Sequence, residues 1–330
     1  MLILGIESTC DETGAALVQD GRVILSNVIA SSADIHEQYG GVFPELACRR
    51  HLDAIIPVIE EALLPAGPEK IDAIAIARGP GLVGALLIGM QAAKGLSIAW
   101  NKPLIGVNHV EAHLYGALMG AEEPWLFPAL GIVLSGGHTQ LVKILDVGRY
   151  EILATTVDDA IGEAFDKVAS LLGLSYPGGP KLETLALTGN PTRFPFKAGR
   201  VKKAPLDFSF SGLKTSVYYA IRDRVLEEGE KADVAASFQE VAFADIASKA
   251  ALAIESFSPK AIYLGGGVAC NLRLRALFAE RFASLPIFWP PKNLCLDNAA
   301  MIAGLGYHKF LQNRAGDPLD LDVLTRIPIA

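Results

Sequence analysis

The sequence predicts an α/β protein of two lobes with duplicated β-sheet cores. One order of elements, strand, polar loop, strand, turn and strand, is written twice, at residues 2–28 and again at 128–156. Stretches with apolar residues at three- and four-residue spacing lie between and after the strands, as expected of helices that cover sheets. A length of 330 residues is about two domains at roughly 150 residues each. The division expected is a first lobe over 1–127, completed by about 297–330, and a second over 128–296 with a basic insertion near 188–207.

The elements follow in order. LILGIESTCDETGAALVQDGRVILSNV opens the chain with an apolar strand, a Ser/Thr/Asp/Glu loop, a second strand, an Asp-Gly turn and a third, alternating strand. Pro44 then sits at a plausible first helical position before ELACRRHLDAIIPVIEEALL. PLIGV reads as a strand that delivers Asn108, a good helix cap, at its C-terminal edge. PALGIVLSGGHTQLVKILDVGRYEILATT repeats the opening pattern with a Ser-Gly-Gly-His-Thr loop. In both hairpins the polar loop sits between buried strands, where free backbone N–H groups can close on an anion such as a phosphate, so the pair points to two related lobes around one nucleotide. Helical spacing returns over Asp158 to Leu172 and Asp233 to Phe257, fails from Thr188 to Asp207, and is followed by the glycine turn of AIYLGGGVACNL at Ala261 to Leu272.

Composition excludes several classes. Charged residues are 20% and hydrophobic ones 51%, too apolar for a disordered chain. Lys and Arg number 29 against 36 Asp and Glu, a net charge of −7, so any contact with nucleic acid must be a local patch. The mean hydropathy of +0.34 raises the question of a membrane, but the most apolar stretch, Gly79 to Ala93, is interrupted by Pro80 and four glycines and stopped by Lys94. It reads as a loop entering a buried helix, with no membrane partner expected. The N-terminus lacks the basic flank of a targeting peptide, so a cytoplasmic location is expected. Cys10, Cys48, Cys270 and Cys295 form no CxxC pair and read as reduced, mostly buried thiols.

The chemistry-bearing residues come next. NHVEAH spaces His109 and His113 four apart, on one face of a helix, which is half a metal site. Glu111, two positions after His109, points about 200° around that helix from it, whereas the zincin motif has its Glu directly after the first His. The best third ligand is Asp297, although Asp297 and Asn298 could each be the cap of the apolar helix that follows. Two His and one Asp leave open coordination positions, suiting a catalytic Fe or Zn. Glu7, Asp11 and Glu12 crowd the first hairpin; Glu7, at a strand end, reads as structural, and Asp11 and Glu12 are candidates for proton handling. Ser135, Gly136, Gly137, His138 and Thr139 offer donors to an anion. Arg193, Phe194, Phe196, Lys197, Arg200, Lys202 and Lys203 combine cations that neutralise phosphates with rings that can stack on bases.

With these residues assembled, the chain resembles, over essentially all its length, the bacterial tRNA N6-adenosine threonylcarbamoyltransferase (TsaD) family, part of a group with Kae-type and Qri-type members. The motifs that carry the resemblance are GIESTCDET at 5–13, YGGVFPELACRRH at 39–51, GPGLVGALLIG at 79–89, NHVEAH at 108–113, SGGHTQL at 135–141, GEAFDKVASLLGLSYPGGP at 162–180, DFSFSGLKT at 207–215, GGVACN at 266–271 and DNAAMIA at 297–303. The resemblance implies a two-lobed actin-like, Hsp70-like ATPase (ASKHA) fold. It implies a divalent metal, Fe(II) first and Zn(II) as the alternative, on His109, His113 and Asp297, and an adenylate or ATP-type nucleotide in the cleft. Substrate-binding positions carried over from the family are Leu134, Ser135, Gly136, Gly137, His138, Asp166, Gly179 and Asn271; Glu183 stands where many relatives carry Asp. The implied reaction moves the threonylcarbamoyl group from threonylcarbamoyl-adenylate to N6 of the adenosine 3′ of the anticodon, in tRNAs reading codons that begin with A, releasing AMP. Partners implied are tRNA and TsaB-like and TsaE-like proteins; the 193–203 segment and Arg49, Arg50 and His51 are the tRNA contacts expected from their charge. The competing reading is an actin-like, ATP-dependent small-molecule kinase, which the fold alone would also support.

Overall fold

A computed structural model describes residues 1–32, 43–122 and 124–329. Residues 39–42 of the YGGVFPELACRRH motif lie outside them. The chain divides into two units, one of residues 1–125, 147–149 and 290–330, the other of residues 126–146 and 150–289.

The first unit contains a five-stranded sheet in the order β3-β2-β1-β4-β5, formed by β1 (Leu2–Glu7), β2 (Glu12–Gln19), β3 (Val23–Ser31), β4 (Ala73–Gly79) and β5 (Leu104–Asn108). The opening meander is antiparallel, with Leu2 opposite Gln19 and Glu7 opposite Gly14. β4 and β5 add in parallel. Parallel strands need crossovers, which α1 (Pro44–Ala62) and α2 (Val83–Trp100) supply. β1 and most of β4 are buried along their length, as their unbroken apolar runs require. α10 (Ala299–Gln312) lies so close across β1 that a Cβ on Gly5 would stand 2.4 Å from the Ala299 carbonyl oxygen.

The second unit repeats this plan. β6 (Ala129–Leu134), β7 (Thr139–Asp146), β8 (Arg149–Thr155), β9 (Ile262–Gly265) and β10 (Ile287–Phe288) stand in the order β10-β9-β6-β7-β8. Position for position this is the first sheet again: β6 pairs antiparallel with β7 and parallel with β9. An apolar core lies here, among α4 (Ile161–Leu171), α5 (Gly178–Ala186), α6 (Ser211–Ile221), α7 (Glu228–Phe257) and α8 (Leu272–Arg281), with Phe165, Phe208, Phe210, Phe238 and Phe243 buried. Burying each such large side chain contributes about 1.5–3 kcal/mol.

Several expectations change. The helix expected from Asp158 begins at Ile161, because Asp158 and Asp159 are used elsewhere. Asp158 reaches across to accept hydrogen bonds from the backbone N–H groups of Phe210 and Ser211 and from the hydroxyls of Ser209 and Ser211, capping α6 from outside. Asp159 pairs with Lys167 and Lys214 at 2.8 and 2.9 Å. WPPKNL is not wholly irregular, since a short helix, α9, spans Lys292–Cys295. Only Cys295 of the four cysteines is buried; the other three are half-buried. α2, at 18 residues and a mean hydropathy of 1.3, is long and apolar enough to cross a membrane, contrary to the reading of its glycines as interruptions. Gly84, Gly89 and Gly95 are instead accommodated within the helix, and Ala85, Leu86, Met90 and Ala93 are buried inside the first unit.

Candidate metal centre and anion-binding loop

In the first unit, β5 hands the chain to α3 (His109–Gly120) at Asn108, whose side-chain oxygen accepts from the N–H groups of Val110 and Glu111 at 2.9 and 3.2 Å. That cap fixes the helix phase, and the rings of His109 and His113 lie 4.6 Å apart, edge to face. Glu111 turns away to pair with Lys309 at 3.1 Å. At the start of α10, Asn298 accepts from Met301 N–H at 3.0 Å and is the cap. Asp297 is thereby left to the histidines: its Oδ1 is 3.1 Å from His113 Nε2 and 3.5 Å from His109 Nε2.

One ligand atom from each of His109, His113 and Asp297 lies within 4.8 Å of the others, close enough for a single ion. The surroundings suit one. Both ring nitrogens of His113 are buried without a hydrogen bond, and Asp297 Oδ1 stands 3.1 Å from Nε2. Two imidazoles and a carboxylate are the donor set expected for Fe(II) or Zn(II). Burial works against a charged His109, but Glu7 and Asp297 outweigh it and raise its pKa to about 9.

Glu7 is fully buried at the end of β1, its Oε1 accepting from Thr9 N–H at 2.6 Å and its Oε2 standing 2.9 Å from His109 Nδ1. The sequence marked Glu7 as merely structural; its partner is 102 positions away, beyond any local pattern. Asp11 and Glu12 come together with Asp297, one carboxylate atom of each within 4.8 Å. Burial first, then the charges of Asp11 and Asp297, pushes Glu12 up to about 10.

His51 is 1% exposed, so the expectation that it touches tRNA is corrected. Its Nε2 is 2.9 Å from the Cys10 carbonyl oxygen, to which it must donate, leaving Nδ1 to accept from Thr13 Oγ at 2.8 Å. It thus ties α1 to the loop that bears Asp11 and Glu12. Arg49 is exposed, paired with Glu45, and Arg50 is exposed.

In the second unit, Leu134 ends β6 and Ser135 to His138 form the loop to β7. The loop is tied internally: Ser135 N–H donates to the His138 carbonyl at 2.9 Å, and His138 N–H to Ser135 Oγ at 3.1 Å. Gly136 and Gly137 are exposed, and a Cβ on either would meet nothing within 4 Å. Behind the loop a Cβ on Gly162 would stand 2.8 Å from Gly136 Cα, and one on Gly266, at φ 94°, 2.4 Å from the Leu134 carbonyl oxygen. Two glycines therefore let the backbone close up beneath while the front stays open.

Asp166 Oδ1 accepts from Gly178 and Gly179 N–H at 2.8 and 3.1 Å, capping α5. Asn271 caps α8 through Arg273 and Leu274 N–H and donates to Gln239 Oε1 at 2.9 Å. Glu183 Oε1 accepts from Leu272 N–H at 2.7 Å, giving it a role at the same helix start. In the basic segment all five cations are exposed, but Phe194 and Phe196 stack on each other at 5.6 Å and pack against the unit's core. The rings anchor the segment inward, which corrects their assignment as platforms for bases.

Among solved structures, the chain is similar to full-length HypF in a phosphate- and nucleotide-bound form, at 16% identity and a TM-score of 0.64, covering 96% of this chain and 47% of that longer one. It is similar also to the activator of the 2-hydroxyisocaproyl-CoA dehydratase from Clostridium difficile with bound ADPNP, at 13% identity and 0.54 over 95% of this chain and 97% of that one. A ROK hexokinase from Thermus thermophilus matches at 18% identity and 0.52, over 96% and 100% of the two chains. The duplicated sheets and these neighbours define a member of the actin-like ATPase-fold class. The model of the TsaD family, tRNA N6-adenosine threonylcarbamoyltransferase, matches residues 23–304. Proteins of that name from Protochlamydia amoebophila (strain UWE25) and Anaeromyxobacter dehalogenans (strain 2CP-C) are 56% and 50% identical, covering 100% and 98% of this chain and 98% and 99% of theirs. The chain belongs to the tRNA N6-adenosine threonylcarbamoyltransferase family, and it is a transferase that modifies tRNA. The kinase alternative has the fold alone behind it.

Proposed function

We propose that the chain transfers a threonylcarbamoyl group from threonylcarbamoyl-adenylate to N6 of the adenosine 3′ of the anticodon, with the named residues in specific roles. The observation that carries this reading is the meeting of His109, His113 and Asp297, which family membership by itself does not supply. An exocyclic adenine amine is a weak nucleophile, so the acyl group must arrive as a mixed anhydride. The new N–C bond forms at the carbamoyl carbon, the C–O bond to phosphate breaks, AMP departs with the electron pair, and N6 sheds one proton.

A divalent ion on His109, His113 and Asp297, Fe(II) or Zn(II), would supply a Lewis acid for a carbonyl. The open face of Gly136 and Gly137, with Ser135 and His138 beside it, offers donors to the adenylate phosphate. Leu134, Asp166, Gly179 and Asn271 complete the substrate-binding positions, with Asp166 and Asn271 also capping α5 and α8. Asp11 and Glu12 form a carboxyl pair beside Asp297, and this pair takes up the proton that N6 sheds. Arg193, Lys197, Arg200, Lys202 and Lys203, with Arg49 and Arg50, contact tRNA phosphates, and the acceptor base is splayed out to react. TsaB-like and TsaE-like proteins assist an acidic chain in holding its RNA, and the reaction takes place in the cytoplasm.

The test is to incubate the chain with threonylcarbamoyl-adenylate and unmodified tRNA, with and without partner proteins, and to analyse the nucleosides by mass spectrometry. Threonylcarbamoyladenosine should form, and Asp297→Ala should abolish it. Its absence under every combination would reject the reading.

A further inference from the structure

Glu7 meets His109 in a way that bears on which nitrogen of that ring can hold an ion. His109 Nδ1 has two neighbours, Glu7 Oε2 at 2.9 Å and Thr9 Oγ1 at 3.3 Å. They make opposite demands. An ionised carboxylate only accepts, so opposite Glu7 the Nδ1 must carry hydrogen, and the lone pair of a neutral ring then lies on Nε2, the atom nearest Asp297. A threonine hydroxyl can donate instead; facing it alone, Nδ1 could be the acceptor and the hydrogen would move to Nε2, where an ion has to bind. The shorter contact and the charge of the carboxylate favour the first arrangement.

We propose that Glu7 is the positioning residue that sets the His109 tautomer, and with it the affinity of the His109–His113–Asp297 centre for a divalent ion. This rests on the metal reading of that centre. Glu7 is itself held in place: Oε1 accepts from Thr9 N–H at 2.6 Å, inside a fully buried setting, so the carboxylate has no freedom to turn away. Metal-bound histidines commonly donate their other N–H to a carboxylate in this manner, and loss of such a partner costs about 10–100-fold in metal affinity.

The same geometry makes Glu7→Gln a sharp probe. The Thr9 N–H needs an acceptor, so the amide oxygen takes the place of Oε1, and the amide NH2 then faces His109 Nδ1. A donor replaces an acceptor at nearly constant shape, which inverts the hydrogen bond and drives the ring hydrogen to Nε2.

The experiment measures binding of Zn(II) and Co(II) to the full-length metal-free chain by chelator competition, for the parent, Glu7→Gln, Glu7→Asp and His113→Ala, together with the visible spectrum of the Co(II) forms and the thermal unfolding of the metal-free forms. The expected result is affinity lowered by about 10–100-fold in Glu7→Gln with a changed Co(II) spectrum, while the metal-free form still folds but unfolds earlier because His109 has lost its carboxylate partner. Glu7→Asp keeps the charge but is one methylene too short to span both partners, and should lose less affinity than Glu7→Gln. Should Glu7→Gln fail to fold, Glu7→Asp decides: parental affinity and spectrum in it would overturn the proposal. So would a folded Glu7→Gln that binds within about twofold of the parent, or one that only unfolds earlier while keeping the parent's spectrum. If the parent binds no ion, or His113→Ala binds as well as the parent, the metal reading itself falls and the proposal with it; a parent whose binding needs His113 but ignores Glu7 overturns the proposal alone.

Discussion

Asp297 and Asn298 are adjacent in the chain and divide two tasks: Asn298 accepts the Met301 N–H at 3.0 Å and starts α10, while Asp297 stands 3.1 Å from His113 Nε2. The division separates two substitutions that sequence alone would treat alike. Asp297→Ala should abolish tight binding of a divalent ion while the metal-free chain still folds and keeps its helix start. Asn298→Ala should destabilise by about 1 kcal/mol through the lost cap and keep the ion. Metal stoichiometry and thermal melts of both variants check this, and an Asp297→Ala chain that retains its ion would refute the assignment.

The pKa of about 9 at His109 predicts a pH dependence of ion binding. At pH 7 the metal-free ring is charged, so an ion must displace a proton, and affinity should rise about tenfold per pH unit up to that pKa. The sign for folding is the reverse. A raised His109 stabilises the metal-free chain fully below its ordinary value of 6.5, and that contribution is lost as pH rises to about 9. Chelator competition at pH 6.5 and 7.5, with melts of the metal-free chain across the same range, measures both; affinity independent of pH would contradict a charged His109.

The loop before β7 can be disturbed from behind. In Gly162→Ala the new methyl would collide with Ser135 O and Gly136 Cα, each 2.8 Å away, and must push the loop outward. Displacement of a binding loop by about 1 Å can cost roughly 100-fold in turnover. Product formation should fall by that order while ion affinity stays at the parental value, and a Gly162→Ala chain with parental kinetics would remove the loop from the reaction.

Asp158 caps α6 with four hydrogen bonds from another part of the second unit. Burial opposes its charge, but the hydroxyls of Ser209 and Ser211 and the backbone N–H groups of Phe210 and Ser211 lower its pKa below 3.8. Its contribution is therefore present above that value and lost as pH falls through the lower, folded-state pKa. Asp158→Asn should cost about 1–2 kcal/mol at pH 7, seen as a melting point lower by a few degrees, and the deficit should shrink in acid. A deficit that does not change between pH 7 and pH 3 would mean that charge is not what the cap uses.

The basic segment separates into two kinds of residue. Lys202→Ala with Lys203→Ala should weaken tRNA binding and flatten its dependence on log salt by about 1–2, since each phosphate contact contributes roughly 0.7–0.9 to the slope. Phe194→Ala should lower stability instead, because that ring packs on Phe196 and the core. Filter binding across a salt series distinguishes them; an unchanged slope in the double variant would take these lysines out of the interface.

The fold was legible because a meander followed by parallel strands is written twice, and period-two and period-3.6 patterns survive in any context. The histidine pair was legible for a similar reason: a spacing of four on a helix is local geometry. Asp297 was only half legible, since aspartate and asparagine are both good caps and the choice between them is made by packing of α10 over β1. Glu7 and His51 were not legible in their roles. Each works through a partner far away in sequence, His109 for the one and Cys10 and Thr13 for the other, and nothing in a run of residues encodes such a meeting. His51 was misleading besides, because ArgArgHis has the composition of a solvated basic patch. Phe194 and Phe196 misled in the same way, because two rings among five cations have the composition of a base-stacking surface while the rings pack on the core.

Because the first unit draws on both residues 1–125 and 290–330, a ribosome releases His109 and His113 well before it makes Asp297. The growing chain carries a two-point chelate with its closing carboxylate still unsynthesised, and the docking of α10 onto Gly5 completes the triad. If the triad holds an ion as proposed, its loading would be among the last events in maturation, and truncation before Asp297 would remove one of the three ligands.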